Sequence, residues 1–313
     1  MALPKRVVIE EDSPRDGFQI EPRPIPTEEK IAFIDQLSET GVAEIQCTAF
    51  VHPKRVPQMA DAEAVMAGIR RRPGVRYTAI APNLKGAERA LAAGVDKLIV
   101  FLSATESHNR ANVQMSREES LRGFEPVVRL ARDRGVPVRG SISCSFGCRF
   151  EGRVPADEVV RLARAYWDMG VQEVNLSDTT GMGNPVLVGD VVARVMAALP
   201  RTTISIHLHN TTNTGFANAY AALQAGAIHF SGSVGGLGGC PFAPKATGNI
   251  PTEDLVHMFE EMGVQTGVDL ERLIECARLA ERIVGRELPG QVMKAGVNWR
   301  LVSLEEWQRG CRP

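Results

Sequence analysis

The sequence has no long apolar run, no charge imbalance and few cysteines, and each absence argues against a class of protein. Its apolar stretches are shorter than the ~20 residues of a membrane-spanning helix. A net charge of −1 gives no reason to expect nucleic acid or a membrane as partner. Six cysteines scattered over 313 residues are typical of reduced thiols. The N-terminus, MALPKRVVIEED, resembles neither a signal nor a transit peptide. We therefore expect a soluble, cytoplasmic protein.

Short β-branched runs alternate with helical patterns along the whole chain. Helical spacing of apolar residues is clearest from an expected N-cap at Thr27 to Gly41, and from Pro185 to Leu199. The predicted strands are Val7–Glu10, Ala43–Thr48, Arg76–Ile80, Lys97–Leu102, Pro137–Ser143, Gln172–Leu176, Thr203–Leu208 and His229–Val234. Eight such units are the number in a closed (β/α)8 barrel.

An open, doubly wound sheet is the competing architecture, because periodicity does not show whether a sheet closes. No GxGxxG turn follows the first strand, which weakens that competitor. We predict an α/β fold of the (β/α)8 TIM-barrel class, forming a single domain. The barrel is expected to span about residues 5–268, and a C-terminal helical extension about residues 269–313.

The sequence HLHN at the end of the seventh predicted strand is the most informative motif. Residues i and i+2 of a strand point to the same side, so His207 and His209 emerge together. In a (β/α)8 enzyme the reacting groups lie at this C-terminal end. The pair therefore indicates a candidate metal site, although one functional and one packed histidine would fit the spacing too.

Polar residues at other strand ends can complete a ligand set. Asp16 follows the first strand and Asn249 follows the loop after the eighth. Two imidazoles, a carboxylate and an amide oxygen suit Mg²⁺ or Mn²⁺, while Zn²⁺ or Fe²⁺ stays open. Arg15, beside Asp16, has the donors to stabilise a developing oxyanion, although a surface ion pair is the ordinary alternative.

The glycine-rich segment GLGGCPFA, residues 236–243, follows the eighth strand and has two functional interpretations. Its backbone N–H groups could hold a phosphate, as barrel loops after strands seven and eight often do. It could instead be a lid that brings Cys240 into the site. A permissive turn with an inert cysteine is the alternative without function.

Long segments of the chain together resemble the 3-hydroxy-3-methylglutaryl-CoA lyase family of metal-dependent barrel enzymes. The resemblance runs from about Val8 to about Gln291. The matching segments are PRDGFQ at 14–19, AFVHPKRVPQMAD at 49–61, APNLKG at 81–86, RGSISCSFGCRFEG at 139–152, LSDTTGMGNP at 176–185, HLHN at 207–210 and GLGGCPFAPKATGN at 236–249. It implies cleavage of a 3-hydroxyacyl-CoA into acetyl-CoA and a keto acid, a step of leucine degradation.

The resemblance also implies roles for individual residues. The metal ligands would be Asp16, His207, His209 and Asn249. The catalytic residues would be Arg15 for the enolate, Cys240 on the loop, Asp178 near the reacting hydroxyl, and Asp16 or His207 as proton acceptor. The expected substrate contacts are Arg15, Gln19, Gln46 and Asn175.

The chain departs from the family pattern around the acyl group. Gln46 replaces an active-site glutamate, which removes a charge but keeps the shape. The other replacements are Ala49 and Asn175 for serines, Ile20 for an asparagine and Asn210 for an aspartate. We therefore expect a lyase with an acyl-CoA substrate that is 3-hydroxy-3-methylglutaryl-CoA or a relative of it.

Three other functions fit parts of the pattern. A barrel enzyme condensing acetyl-CoA with a 2-keto acid would usually carry HxHND, whereas Thr211 follows Asn210 here. An inactive acyl-CoA-binding protein is suggested by Gln46. A Schiff-base aldolase would need a lysine, and Lys245 is the only one in the eighth loop. No nucleic acid or membrane partner is expected, and the sequence leaves a homodimer open.

Overall fold

The computed structural model describes residues 3–239, 248–299, 301 and 303–310. Eight parallel strands close into a barrel in chain order, because β8 pairs with β1. The strands are β1 Val8–Glu11, β2 Glu44–Ala49, β3 Arg76–Ile80, β4 Lys97–Ser103, β5 Val138–Ser143, β6 Glu173–Asp178, β7 Thr203–Leu208 and β8 His229–Gly232. The predicted (β/α)8 fold is confirmed, and the open sheet is wrong.

Helices surround the barrel, and none within the described residues is long and apolar enough to span a membrane. They are α1 Thr27–Leu37, α2 Ala62–Gly68, α3 Leu84–Ala92, α4 Glu106–Val113, α5 Arg117–Asp133, α6 Ala156–Asp168, α7 Pro185–Ala198, α8 Gly215–Gln224, α9 Thr252–Glu261, α10 Leu270–Val284, α11 Val292–Ala295 and α12 Leu304–Gly310.

Local sequence sets several helix starts. The Ser116 side chain caps the Glu119 N–H, and Glu119 in turn accepts from the Ser116 N–H, which forms a capping box. Asn184 caps α7 through the Leu187 N–H, and Pro185 occupies the first helical position. The predicted cap at Thr27 is wrong by one position, because Pro26 holds that place and Thr27 is helical.

The N-terminal half of the barrel interior contains a buried group of charged side chains, which we call the interior ion cluster. Its members are Glu10, Glu44, Lys97, Arg139 and Glu173. Lys97 Nζ lies 2.8 Å from both carboxylate oxygens of Glu44, and Arg139 Nη2 lies 2.7 Å from Glu44 Oε2. This end of the barrel is thus filled by paired charges, whereas the other end carries the candidate site.

Candidate metal centre

A single π-helical turn at Ser13–Gly17 places Arg15 and Asp16 at the C-terminal end of β1. The Asp16 N–H donates to the Asp12 carbonyl over 2.7 Å, and the Phe18 N–H reaches back to the Ser13 carbonyl. Such π turns are rare and occur often at functional sites. The turn therefore aims two adjacent charged side chains into the mouth of the barrel.

The two histidines of the HLHN motif reach the same place from β7. His207 is in the strand, and His209 directly after it forms an isolated bridge with Asn249. Asp16 Oδ2 lies 4.0 Å from Nε2 of each imidazole. One ligand atom from each of the three side chains lies within 4.8 Å of the others, and all three residues are buried.

Asn249 adds a fourth oxygen to this group. Its Nδ2 donates to Asp16 Oδ2 over 2.7 Å and to the Leu237 carbonyl over 2.9 Å. Its Oδ1 is buried and has no hydrogen-bond partner within the described residues. A buried acceptor without a partner is costly unless a cation or water satisfies it. The donor set therefore fits a divalent cation that prefers mixed nitrogen and oxygen ligands.

The charges around Asp16 favour its ionised form. Burial opposes ionisation, but Arg15, His207, His209 and the Asn249 amide outweigh it and lower the Asp16 pKa to about 2. Burial opposes a charge on His207 as well, yet its contact with Asp12 raises the His207 pKa. The carboxylate is thus a ready ligand at neutral pH.

Arg15 lies beside the candidate metal ligands and hydrogen-bonds to Asp16 and Gln46. Nη1 donates to Asp16 Oδ1 and Nε donates to Gln46 Oε1. Gln46 comes from β2 at a register irregularity between Gln46 and Thr48, a kind of bulge common next to active sites. Nη2 has no hydrogen bond to the described part of the chain, so this edge of the guanidinium can meet a substrate oxygen.

Sequence reasoning missed Asp12. This buried carboxylate accepts from Gln46 Nε2 over 3.0 Å, and its Oδ2 lies 3.0 Å from His207 Nδ1. The signal was the acidic run of Glu10, Glu11 and Asp12, which leads straight from β1 into the π turn. Successive residues of a strand face opposite sides, so three acidic residues in a row cannot all face solvent, and at least one of them is expected to point into the barrel.

Asn175 and Asp178, both on β6, have defined partners. Asn175 Oδ1 accepts from Ser141 Oγ and Ser177 Oγ, and its Nδ2 donates to Ser205 Oγ, so it belongs to a polar layer inside the barrel. Asp178 accepts the Gly183 N–H over 3.0 Å. Burial raises the Asp178 pKa to about 6 despite these backbone donors.

Gln19, another predicted substrate contact, is half-buried directly after the π turn. Cys240 and Lys245 lie outside the described residues, so the loop interpretations and the Schiff-base alternative stay predictions. Lys97, the lysine inside the barrel, is at the opposite end and is paired with Glu44 and Glu173.

Comparisons with known proteins agree over nearly the whole chain. A family model described as HMGL-like matches residues 6–280. A hydroxymethylglutaryl-CoA lyase of Bacillus subtilis is 45% identical over 291 residues, which are 93% of this chain and 97% of that protein. The human mitochondrial hydroxymethylglutaryl-CoA lyase is 41% identical over 293 residues, covering 94% and 90%.

A solved structure gives the same result. The HMG-CoA lyase from Acinetobacter baumannii, in complex with coenzyme A and 3-methylmalate, superposes with a TM-score of 0.92 at 42% identity. The match covers 97% of this chain and 99% of that one. The resemblance inferred from the motifs is confirmed.

Proposed function

Because the chain belongs to the HMGL-like family, we propose that it is a metal-dependent carbon–carbon lyase. It cleaves 3-hydroxy-3-methylglutaryl-CoA, or a closely related 3-hydroxyacyl-CoA, into acetyl-CoA and a keto acid. The single observation that supports this most is the meeting of Asp16, His207 and His209 beside Arg15 at the C-terminal end of the barrel. The names of the relatives support the substrate class.

Four side chains are proposed to hold the cation, which is Mg²⁺ or Mn²⁺ in this proposal. They are Asp16, His207, His209 and Asn249, the last through its buried Oδ1. When bound, such a cation supplies Lewis acidity to substrate oxygens.

The cleavage needs a proton acceptor for the substrate hydroxyl. We propose Asp16 or His207, at the candidate metal site, as this acceptor, although the lowered pKa of Asp16, about 2, makes it a weak base. Asp178, whose pKa burial raises to about 6, is proposed as a further acidic group near the reacting hydroxyl.

Bond cleavage expels an enolate from the thioester part of the substrate. Arg15 is proposed to stabilise the enolate oxygen, since its Nη2 is available while Nε and Nη1 hold the guanidinium in place. Cys240 or a water then protonates the carbon to give acetyl-CoA. Gln19, Gln46 and Asn175 are the proposed substrate contacts.

The purified protein should release acetyl-CoA and acetoacetate from 3-hydroxy-3-methylglutaryl-CoA in the presence of Mg²⁺ or Mn²⁺. EDTA should abolish turnover, and added Mn²⁺ should restore it. A panel of 3-hydroxyacyl-CoAs tests the related substrates that Gln46 and Asn175 suggest. Binding without turnover across this panel would refute the lyase and favour an inactive acyl-CoA-binding protein. Condensation of acetyl-CoA with 2-keto acids would favour the reverse reaction.

We further propose a cytoplasmic location and a single domain, and the homodimer that the sequence leaves open stays a prediction. The location is supported by four buried cysteines that are free thiols, Cys47, Cys144, Cys148 and Cys276. The single domain is supported by α10, whose Leu273 and Ala277 are fully buried in the same core as the barrel helices. Cell fractionation tests the location, and light scattering of the purified chain tests the oligomeric state.

A further inference from the structure

Four side chains form one continuous line of hydrogen bonds from the oxyanion arginine to a metal-site histidine. Arg15 Nε donates to Gln46 Oε1, Gln46 Nε2 donates to Asp12 Oδ1, and Asp12 Oδ2 lies beside His207 Nδ1. We call these four residues the Arg15–His207 chain. Asp12, Gln46 and His207 are only 2%, 4% and 8% exposed, so water does not replace these contacts easily.

The chemistry of the members fixes the direction of every bond in this chain. A guanidinium only donates and a carboxylate only accepts. Gln46 must therefore point its oxygen at Arg15 and its amide nitrogen at Asp12. His207 must carry its proton on Nδ1 to donate to Asp12, which leaves the Nε2 lone pair facing Asp16. Ser231 Oγ, 2.9 Å from the same Nδ1, offers a second, uncharged contact.

We infer that Asp12 is a positioning residue that acts on both halves of the site. It selects the tautomer of His207 that presents Nε2 to the metal position, and it holds the Gln46 amide with its oxygen toward Arg15. The metal half of this inference rests on the proposed function. Because Gln46 is neutral, Asp12 is the only carboxylate among these four residues, and it is separated from Arg15 by two hydrogen bonds, whereas Asp16 pairs with Arg15 directly.

This arrangement predicts an unusual pattern of mutational effects. In Asp12→Asn one carboxylate oxygen becomes an NH2 group, which must face either Gln46 Nε2 or the His207 Nδ1–H, and either contact sets donor against donor. In Gln46→Glu two carboxylates face each other over a contact that is now 3.0 Å. Each single change thus breaks the order of donors and acceptors.

The double variant Asp12→Asn/Gln46→Glu restores that order with the charge moved. Arg15 then donates to the carboxylate at position 46, the new amide nitrogen at position 12 donates to the same carboxylate, and the new amide oxygen accepts from His207. Because Asp12 and Gln46 are in contact, the two changes are expected to couple in any case, so the sign of the coupling and its effect on Mn²⁺ binding are what matter. The Arg15–His207 chain predicts that the second change repairs the first.

The test measures Mn²⁺ binding to the metal-free protein by electron paramagnetic resonance, without substrate. Each single variant should bind Mn²⁺ about tenfold more weakly, as loss of a partner behind a metal ligand typically does. The double variant should return to within about threefold of wild type. Asp35→Asn is the matched control, because Asp35 is buried on α1 and binds Arg70 instead. It should bind Mn²⁺ like wild type.

Nitrogen NMR of protein labelled at histidine gives a second readout that needs no metal. His207, assigned with a His207→Asn variant, should be protonated on Nδ1 in wild type and in the double variant. Single variants that bind Mn²⁺ like wild type, or a double variant weaker than either single one, would overturn the inference. If the wild-type protein binds no Mn²⁺, the proposed metal site is wrong. An Nε2–H tautomer of His207 in the wild-type protein would by itself overturn the inferred role of Asp12.

Discussion

Arg15 and Gly238 bear on the candidate site through opposite properties, one through its charge and the other through its lack of a side chain. Arg15 donates to Asp16 and Gln46 at once, through two nitrogens of its planar guanidinium. Gly238 has a positive φ of 98°, and a Cβ placed on it would meet Asn249 and Asp16. Both residues can be tested without removing a proposed metal ligand.

Replacing Arg15 with lysine should lower kcat by more than tenfold, or about 1.4 kcal/mol of transition-state stabilisation. An ammonium group cannot contact Asp16, Gln46 and an enolate oxygen in a fixed plane. Acetyl-CoA release at saturating substrate measures the effect. Arg122→Lys on the exposed face of α5 is the control and should leave kcat unchanged. A loss smaller than tenfold would contradict the oxyanion role.

Replacing Gly238 with alanine should weaken Mn²⁺ binding about tenfold or more, the effect expected when the support of a metal ligand is disturbed. The new Cβ would lie 2.6 Å from Asn249 Nδ2 and 3.2 Å from Asp16 Oδ2, so the amide must move. Gly285→Ala is the matched control, because Gly285 also has positive φ, 69°, but nothing lies within 4 Å of its Cβ. Equal Mn²⁺ affinities in the two variants would contradict the predicted clash of the new Cβ with Asn249 and Asp16.

Among the elements, the short 3-10 turn at Val234–Gly236 after β8 is held by two buried carboxylates. Glu11 accepts the Val234 N–H over 3.1 Å and the Ser13 N–H over 2.9 Å, so it joins this turn to the π turn. Glu253 at the start of α9 accepts the Gly235 N–H over 3.0 Å. The two turns that flank the site therefore share a carboxylate inside the protein.

Burial raises the Glu11 pKa to about 7, well above its ordinary 4.5, despite the hydrogen bonds it accepts. The folded protein thus binds this proton more tightly than the unfolded chain. The stabilisation is complete below pH 4.5 and is lost as the pH rises through 7. Glu11→Gln should therefore reduce the decline in the free energy of unfolding between pH 4.5 and 7, by at most about 1.4 kcal/mol per pH unit.

Urea unfolding of the metal-free protein at several pH values measures this decline. Glu118→Gln, on the exposed face of α5, is the control and should keep the wild-type profile. An unchanged slope in Glu11→Gln would mean that Glu11 does not take up a proton in the folded protein over this range.

In the whole molecule, the two ends of the barrel use charge differently. The C-terminal end leaves Asn249 Oδ1 without a partner in the described chain, as a ligand site requires. The N-terminal half instead holds the interior ion cluster, in which Lys97 and Arg139 are buried among three glutamates. Burial opposes ionisation of Glu173, but Arg139 and Lys97 outweigh it and lower its pKa to about 2.

Lys97→Met should destabilise the fold by about 3 kcal/mol, because removal of one partner leaves buried carboxylates uncompensated. Urea unfolding at neutral pH measures the change. Arg122→Met removes an exposed ion pair with Glu118 and should change the stability by less than about 1 kcal/mol. If the two variants were equally stable, the interior ion cluster would not support the barrel.

Local patterns were sufficient to locate all eight strands, and Arg76–Ile80 and Thr203–Leu208 match the prediction at both ends. Other ends moved by one or two residues, since hydrogen bonding to the neighbouring strand decides where pairing stops. The eighth strand ends at Gly232 rather than Val234, because the chain turns there. Strand order and the motifs likewise brought Asp16, His207 and His209 to one end of the barrel.

The sequence by itself therefore determined the alternation of strands and helices, the family and most of the candidate metal ligands, because these depend on local periodicity and on contiguous motifs. The tertiary structure alone decided that β8 closes on β1, that Asp12 meets His207 across 195 positions, and which way the Gln46 amide points. It also decided which charges pair inside the barrel. Contacts of this kind depend on strand register and on side-chain packing between distant segments, and no local pattern records either one.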